Sequence, residues 1–262
     1  MSFAITLFSN APPSPGFENT VAHFKVRLAE KIVFDKIYEV ALEYISFPKT
    51  WYNVFEESIF CIAQTKEYMV FDKIVLPRGY YESSEEVVKK INSLFSEHLA
   101  NDVGRKFTKL PQLFWTQLTK TCTLNDVKGM YGKRTMPLHL KMSERLNALI
   151  GYVPSIVLPT DVLKVDAADI NAGFRTLLAY SNIADYSFVG HSRSQLLDLI
   201  DIPTTAAFGE QLTHRITSPR YVPVLGNEIE EIEIVLKTDF GETIPFRSGR
   251  SALRLLLRPK NE

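Results

Sequence analysis

Cysteine is nearly absent: Cys61 and Cys122 are the two in 262 residues. Isolated cysteines give neither a disulfide framework nor the paired spacing of a zinc site, which fits a reducing compartment, although one bridge between them stays open. A charge excess is also missing. Lys and Arg number 30, Asp and Glu number 30, and the net charge is zero with the histidines neutral. With no basic surplus to neutralise phosphates, direct sequence-specific binding to nucleic acid is not expected. Nor does self-repulsion oppose association. No run of about 18 apolar residues exists, so no membrane span is expected. The opening "MSFAITLFSN" has no charged n-region and only a short apolar run, so export through a signal peptide is not expected either. Repeats, low-complexity tracts and linkers are lacking.

What is present points to strands. Apolar residues make up 45%, charged residues 23% and aromatics 11%, with 17 Phe and 11 Tyr. Rings pack well on a half-buried pleated surface. A chain of this length buries roughly 70–75% of its unfolded surface and needs no staples. "FAITLFS" reads as a first strand and "NAPPSPGFENT" as a loop. In "VAHFKVRL", Phe24, Val26 and Leu28 alternate with His23, Lys25 and Arg27. "KIYEVALEYISF" alternates again and stops at Pro48; "SIFCIAQ" and "EYMVFDKIVL" follow. Residues 83–99 switch to helical spacing behind a Ser83–Glu86 capping box, and 143–150 form a second helix between Ser143 and Gly151. "LFWTQLTKTCTL" reads as a strand, and Asn125–Pro137 as a Gly- and Lys-rich loop. Then come "FRTLLAYSNI", "SQLLDLIDI", "EIEEIEIVL", "TDFGETIPF" and "SALRLLLR". Eight to ten strands with two interrupting helices describe an all-β sandwich or jelly roll, not a βαβ alternation.

Candidate chemistry is thin. Gly190-His191-Ser192-Arg193 lacks the second glycine and the following helix of a nucleophile elbow, so it reads as a polar turn. The histidines are His23, His98, His139, His191 and His214, none within three to five residues of another, so no zinc-type pair forms. A cupin-type metal site needs His23 to meet His139 or His214 in space. Glu231 and Glu233 share a strand face beside Glu230, and read as solvated or paired to Arg254 and Arg258. "VKGMYGKRT" lacks Walker spacing and reads as an exposed contact loop. Trp51 and Trp115 read as core anchors rather than sugar-stacking platforms. No catalytic, cofactor-binding or metal residue is assigned, and no cofactor is expected.

Several segments resemble the minor capsid, or penton, protein of the Polinton/Maverick group of self-synthesising transposons and related adintovirus-like viruses. They are "NTVAHFKVRL" with "YEVALEYISFPKTWYNV", "LPRGYYESSEEVVKKIN", "MSERLNALIGY", the Tyr180–Pro203 stretch "YSNIADYSFVGHSRSQLLDLIDIP", and "SPRYVPV" with "IEIVLKTDFGETIPFRSGRSALRLLLR". They appear in the family's order across most of residues 19–258; "YSNIADYSFVG" departs from the family's Tyr-x-Tyr pattern and 100–140 matches poorly. The resemblance implies one jelly-roll capsid domain over 1–262, with 83–99 and 143–150 as helical insertions and the first helix on its flank. It implies homopentamers at the fivefold vertices of an icosahedral shell, beside a double-jelly-roll major capsid protein, in a virion assembled inside the host cell, and no enzyme activity. Contact segments are expected at Asn125–Pro137 and Gly190–Ser194. The alternatives are a jelly-roll carbohydrate- or ligand-binding module for host attachment, and, third, a cupin-type enzyme.

Overall fold

The computed structural model describes residues 2–54, 57–63, 69–131, 133–153, 167–170 and 174–260. They pack as two compact units: Met1–Trp51 with Phe174–Glu262, and Tyr52–Gly173. In chain order the first unit begins with β1 (Phe3–Phe8), β2 (His23–Val33) and β3 (Tyr38–Pro48). The second holds β4 (Glu57–Ala63), β5 (Met69–Leu76), α1 (Ser84–Leu99), a 3-10 turn (Ala100–Asp102), β6 (Leu113–Thr116), β7 (Thr121–Leu124), β8 (Lys128–Tyr131), β9 (Arg134–Lys141), α2 (Glu144–Ile150) and β10 (Tyr152–Val153). The chain then returns to the first unit with β11 (Thr176–Ser181), β12 (Ser187–Val189), β13 (Ser192–Ser194), β14 (Leu196–Asp201), β15 (Gln211–Arg215), β16 (Val222–Pro223), β17 (Glu228–Thr238) and β18 (Ala252–Pro259).

The first unit is a sandwich of two antiparallel sheets. One runs β1-β18-β3-β15, with β16 also on β3; the other runs β14-β11-β17-β2. Counting its eight main strands in chain order, the sheets read 1-8-3-6 and 5-4-7-2. This winding, in which successive main strands cross between the sheets everywhere except at the paired β11 and β14, is the jelly roll expected from the sequence. β14 packs against β3, so the β14 and β15 edges share one flank and the β1 and β2 edges the other.

Period-2 alternation builds the core between these sheets. In β17, Ile229, Ile232, Ile234 and Leu236 are buried while Glu228 and Glu230 face water. In β18, Leu253, Leu255 and Leu257 are fully buried. Full burial of each such side chain contributes roughly 1.5–3 kcal/mol. Phe24, Val40, Leu42, Phe47 and Leu177 fill the space between, and Trp51 closes it against Phe174 and Phe246 at ring distances of 5.0 and 5.6 Å.

The second unit has its own apolar cluster. α1 contributes Val87, Ile91, Phe95 and Leu99, packed with Ile59, Leu76, Leu113, Leu146 and Tyr152. Both helices start where the capping rule puts them. Ser83 Oγ accepts from Glu86 N at 3.2 Å, Glu86 Oε2 accepts from Glu82 N at 2.6 Å, and Ser143 Oγ accepts from Leu146 N at 3.0 Å. Gly151 ends α2 at φ +57°, and a Cβ there would sit 2.7 Å from Lys120 O, so only glycine fits.

The buried residues of α1 belong to the second unit's cluster. The structure departs from the sequence reading in three places. "LFWTQLTKTCTL" is not one strand but the hairpin β6–β7, turning at Gln117–Lys120, with Lys120 at φ +51°. Asn125–Pro137 is not a loop: β8 and β9 pair across it, Lys128 to Pro137 and Tyr131 to Arg134. "TDFGETIPF" forms no strand beyond Thr238; it folds back through one bridge, Lys237 to Thr243. Gly132, Gln64, Glu67 and Tyr68 lie outside the described residues.

Candidate functional site

The Tyr180–Pro203 stretch begins on β11 and ends on β14, but a separate hairpin projects between them. β12 and β13 pair Ser187 with Ser194, Phe188 with Arg193 and Val189 with Ser192. Gly190-His191 is its two-residue tip. Gly190 carries φ +58° and His191 does not have positive φ, as in a type II′ turn. Ser192 Oγ donates to Val189 O at 3.2 Å, so the hydroxyl closes the hairpin. The expected single polar turn is therefore a hairpin with strands of its own.

Two amides fasten this hairpin. Asn182 continues the pairing of β11 with its side chain: Nδ2 donates to Glu231 O at 3.1 Å and Oδ1 accepts from Glu233 N at 2.8 Å. Gln195 Nε2 donates to Asn182 O at 2.8 Å and Ala184 O at 3.0 Å. On one face beyond this clamp stand Tyr186, Phe188 and Arg193, whose guanidinium lies 5.4 Å from the Tyr186 ring centroid. Phe188 is 80% exposed. An aromatic held rigidly in water beside an arginine has the character of an interface hot spot.

The acidic residues of β17 meet the basic residues of β2. Lys25 Nζ reaches Glu233 at 3.3 Å and Glu231 at 3.9 Å, Arg27 pairs with Glu230, Lys31 with Glu228, and His23 Nε2 with Glu233. The loop before β2 lies on these pairs: Ser14 Oγ donates to Glu231, Phe17 packs edge-on against His23, and Asn19 Oδ1 accepts from Lys25 N at 2.8 Å. This corrects the expected partners. Arg254 and Arg258 lie on the other sheet, with Glu43 at 3.7 Å and Glu39 at 3.1 Å.

Glu233 therefore titrates with the fold. Burial pushes its carboxyl up, but hydrogen bonds from His23 and Lys25, with their charge, outweigh burial and hold it below its ordinary value. A depressed carboxylate contributes stability above its unfolded pKa and loses it as pH falls through its folded pKa. Glu233→Gln is expected to destabilise the protein by about 1 kcal/mol at pH 7. That difference from wild type should begin to narrow as pH falls through the ordinary glutamate range, about 4.3, and close only below the lowered value that Glu233 has in the folded protein. Thermal melts of both proteins from pH 7 to pH 3 check this; a gap unchanged at pH 3 would contradict it.

The remaining candidates separate in space. His23 and His214 stand on opposite sheets of the sandwich, while His139 is buried in β9 of the second unit. His98 ends α1 and His191 tips the hairpin. Among the described residues, no group of three or more His, Cys, Asp or Glu is placed to hold a metal ion. Cys61 and Cys122 are free and buried, and burial pushes both thiols up to about 12. Trp51 is buried in the sandwich core, whereas Trp115 packs against the second unit's cluster and donates from Nε1 to Gln117. "VKGMYGKRT" runs through β8 and into β9, so it presents no phosphate loop. Sequence reasoning missed Lys49. It is buried, with Nζ donating to Ala206 O at 2.6 Å, and burial lowers its pKa against the charge of Glu210. It ties the loop before β15 to the end of β3, and "FPKTW" carries no signal for that.

No protein-family model matches the sequence, and no curated protein matches it. Solved structures do. The chain is similar to the penton protein of mavirus, with a TM-score of 0.53 and 11% identity over 98% of both chains. It is also similar to a chain of the Sputnik virophage structure, with a TM-score of 0.50 and 12% identity over 98% of this chain and 97% of that one. At this identity the likeness lies in the fold alone.

Proposed function

We propose that the chain is a minor capsid protein, the penton of an icosahedral shell of Polinton/Maverick type, forming pentamers at the fivefold vertices. The observation that carries this reading is the eight-strand winding of the first unit, in a chain whose fold is similar over 98% of its length to that of a mavirus penton protein. On this reading residues 1–262 act as one capsid subunit, and Tyr52–Gly173 is carried as an insertion between β3 and β11. The partner is a double-jelly-roll major capsid protein, the location is the virion, and the role is structural rather than catalytic. Zero net charge and a charged surface of both signs support association through complementary rims.

Light scattering after size exclusion tests the ring. One subunit is 29.8 kDa. A pentamer is expected at about 149 kDa at micromolar concentration, with mass falling on dilution. A persistent monomer that also stays out of particles when co-expressed with a double-jelly-roll capsid protein would remove the vertex role and favour ligand binding.

A further inference from the structure

We infer that neighbouring subunits of the ring meet hairpin to turn: the Tyr186–Phe188–Arg193 face of one copy seats against the β2–β3 turn, Val33–Ile37, of the next. The inference rests on the proposed ring and names the surface that closes it.

The placement comes from the topology of the sandwich. The hairpin base pairs with the outer edge of β16, through the Ala184–Val224 bridge and Asp185 N to Pro223 O at 2.9 Å. β16 lies on the side of β3 where β15 also pairs, so the hairpin extends the β14/β15 flank. Val33 ends β2, the outermost strand at the opposite flank. The two features share one end of the sandwich, because Val224 N donates to Tyr38 O and Phe34 N donates to Asn227 O, both at 2.8 Å. A ring built by rotation about one axis puts each flank against the opposite flank of its neighbour at the same height. Hairpin and turn are thereby brought face to face between copies.

Their chemistry matches. Phe188 is 80% exposed, Val33 66% and Ile37 64%, and burying them against each other removes apolar surface that a lone subunit leaves in water. Arg193 and His191 ride on the hairpin, while Asp35 is in the turn and Glu30 in the exposed bulge of β2. Lys36 also stands in the turn, and Lys31 is already paired with Glu228. Neither Arg193 nor Asp35 has an ion-pair partner among the described residues. The amide clamp of Asn182 and Gln195 holds the hairpin before contact, so little freedom is lost on docking.

Site-directed thiols test the contact directly. The native thiols are buried, so a short bismaleimide should leave wild type unlinked. A chain carrying both Phe188→Cys and Val33→Cys is expected to give a covalent ladder up to five subunits, while either single variant stays unlinked. Phe188→Asp, a surface change, is expected to raise the concentration for half-assembly at least tenfold with an unchanged circular dichroism spectrum. Rings that form in wild type, give no ladder in the double variant and persist in Phe188→Asp would overturn this contact and leave the penton reading standing. A wild type that is monomeric at every concentration and absent from shells would overturn both.

Discussion

Removal of residues 251–262 is expected to leave no folded protein. β18 is not a trailing edge: it lies between β1 and β3 and pairs with both along its length. Ser251 is fully buried and exchanges hydrogen bonds with Ser9, each at 2.9 Å. Truncation therefore strips β1 of its partner, opens an edge of β3 and deletes Leu253, Leu255 and Leu257 from the core. Leucine-to-alanine changes at such sites cost about 2–5 kcal/mol each, against a total stability of about 5–15 kcal/mol. Losing three together with their backbone pairing exceeds what the fold has. The soluble fraction after expression, and the cooperativity of any thermal melt, measure this. Leu255→Ala alone should lower stability by about 2–5 kcal/mol and still fold. A truncated protein melting at the wild-type temperature would refute the central position of β18.

That strand was legible because its three leucines alternate without interruption and both faces carry consistent chemistry. β17 was legible for the same reason. β15 was not: in Gln211–Arg215 a single residue, Leu212, is buried, and one apolar position sets no period. The β6–β7 turn was hidden because it uses neither Gly nor Pro; Lys120 takes the left-handed conformation instead. The β8–β9 hairpin was hidden by the opposite signal, since Gly129 and Pro137 read as loop and yet sit in paired strands. Partners across strands depend on register, and register is set by contacts distant in sequence. Hence Glu231 and Glu233 read as acidic on one face, but not as partners of Lys25 and His23. The hairpin face of Tyr186, Phe188 and Arg193 had a visible signal, aromatics alternating with polar residues in "DYSFVGHSR", which short length kept below the level of a strand. The two separate apolar clusters left no mark at all, because no linker composition separates them.

Phe95→Ala is expected to cost about 3–5 kcal/mol, and to cost it in the second unit alone. Phe95 is fully buried on α1, among the largest side chains of its cluster. Every residue of that cluster falls within Tyr52–Gly173, and every residue of the sandwich cluster falls outside it. The ring is packed within the second unit's own cluster. Hydrogen exchange resolves the two. Amides of α1, β7 and β9 should exchange faster in the variant, by up to the roughly 100- to 4,000-fold that such a loss implies, while amides of β11, β17 and β18 keep their wild-type protection. Uniform acceleration across both units would show that they unfold as one. Excision makes the same point from the other side. The Trp51 and Phe174 rings that bracket the insertion lie 5.0 Å apart, so a few Gly and Ser residues span the gap left by removing Tyr52–Gly173. The shortened chain keeps all eight sandwich strands and their whole cluster, and should melt in one cooperative transition. A shortened chain that aggregates or melts without cooperativity would mean that the jelly roll needs the inserted unit to fold.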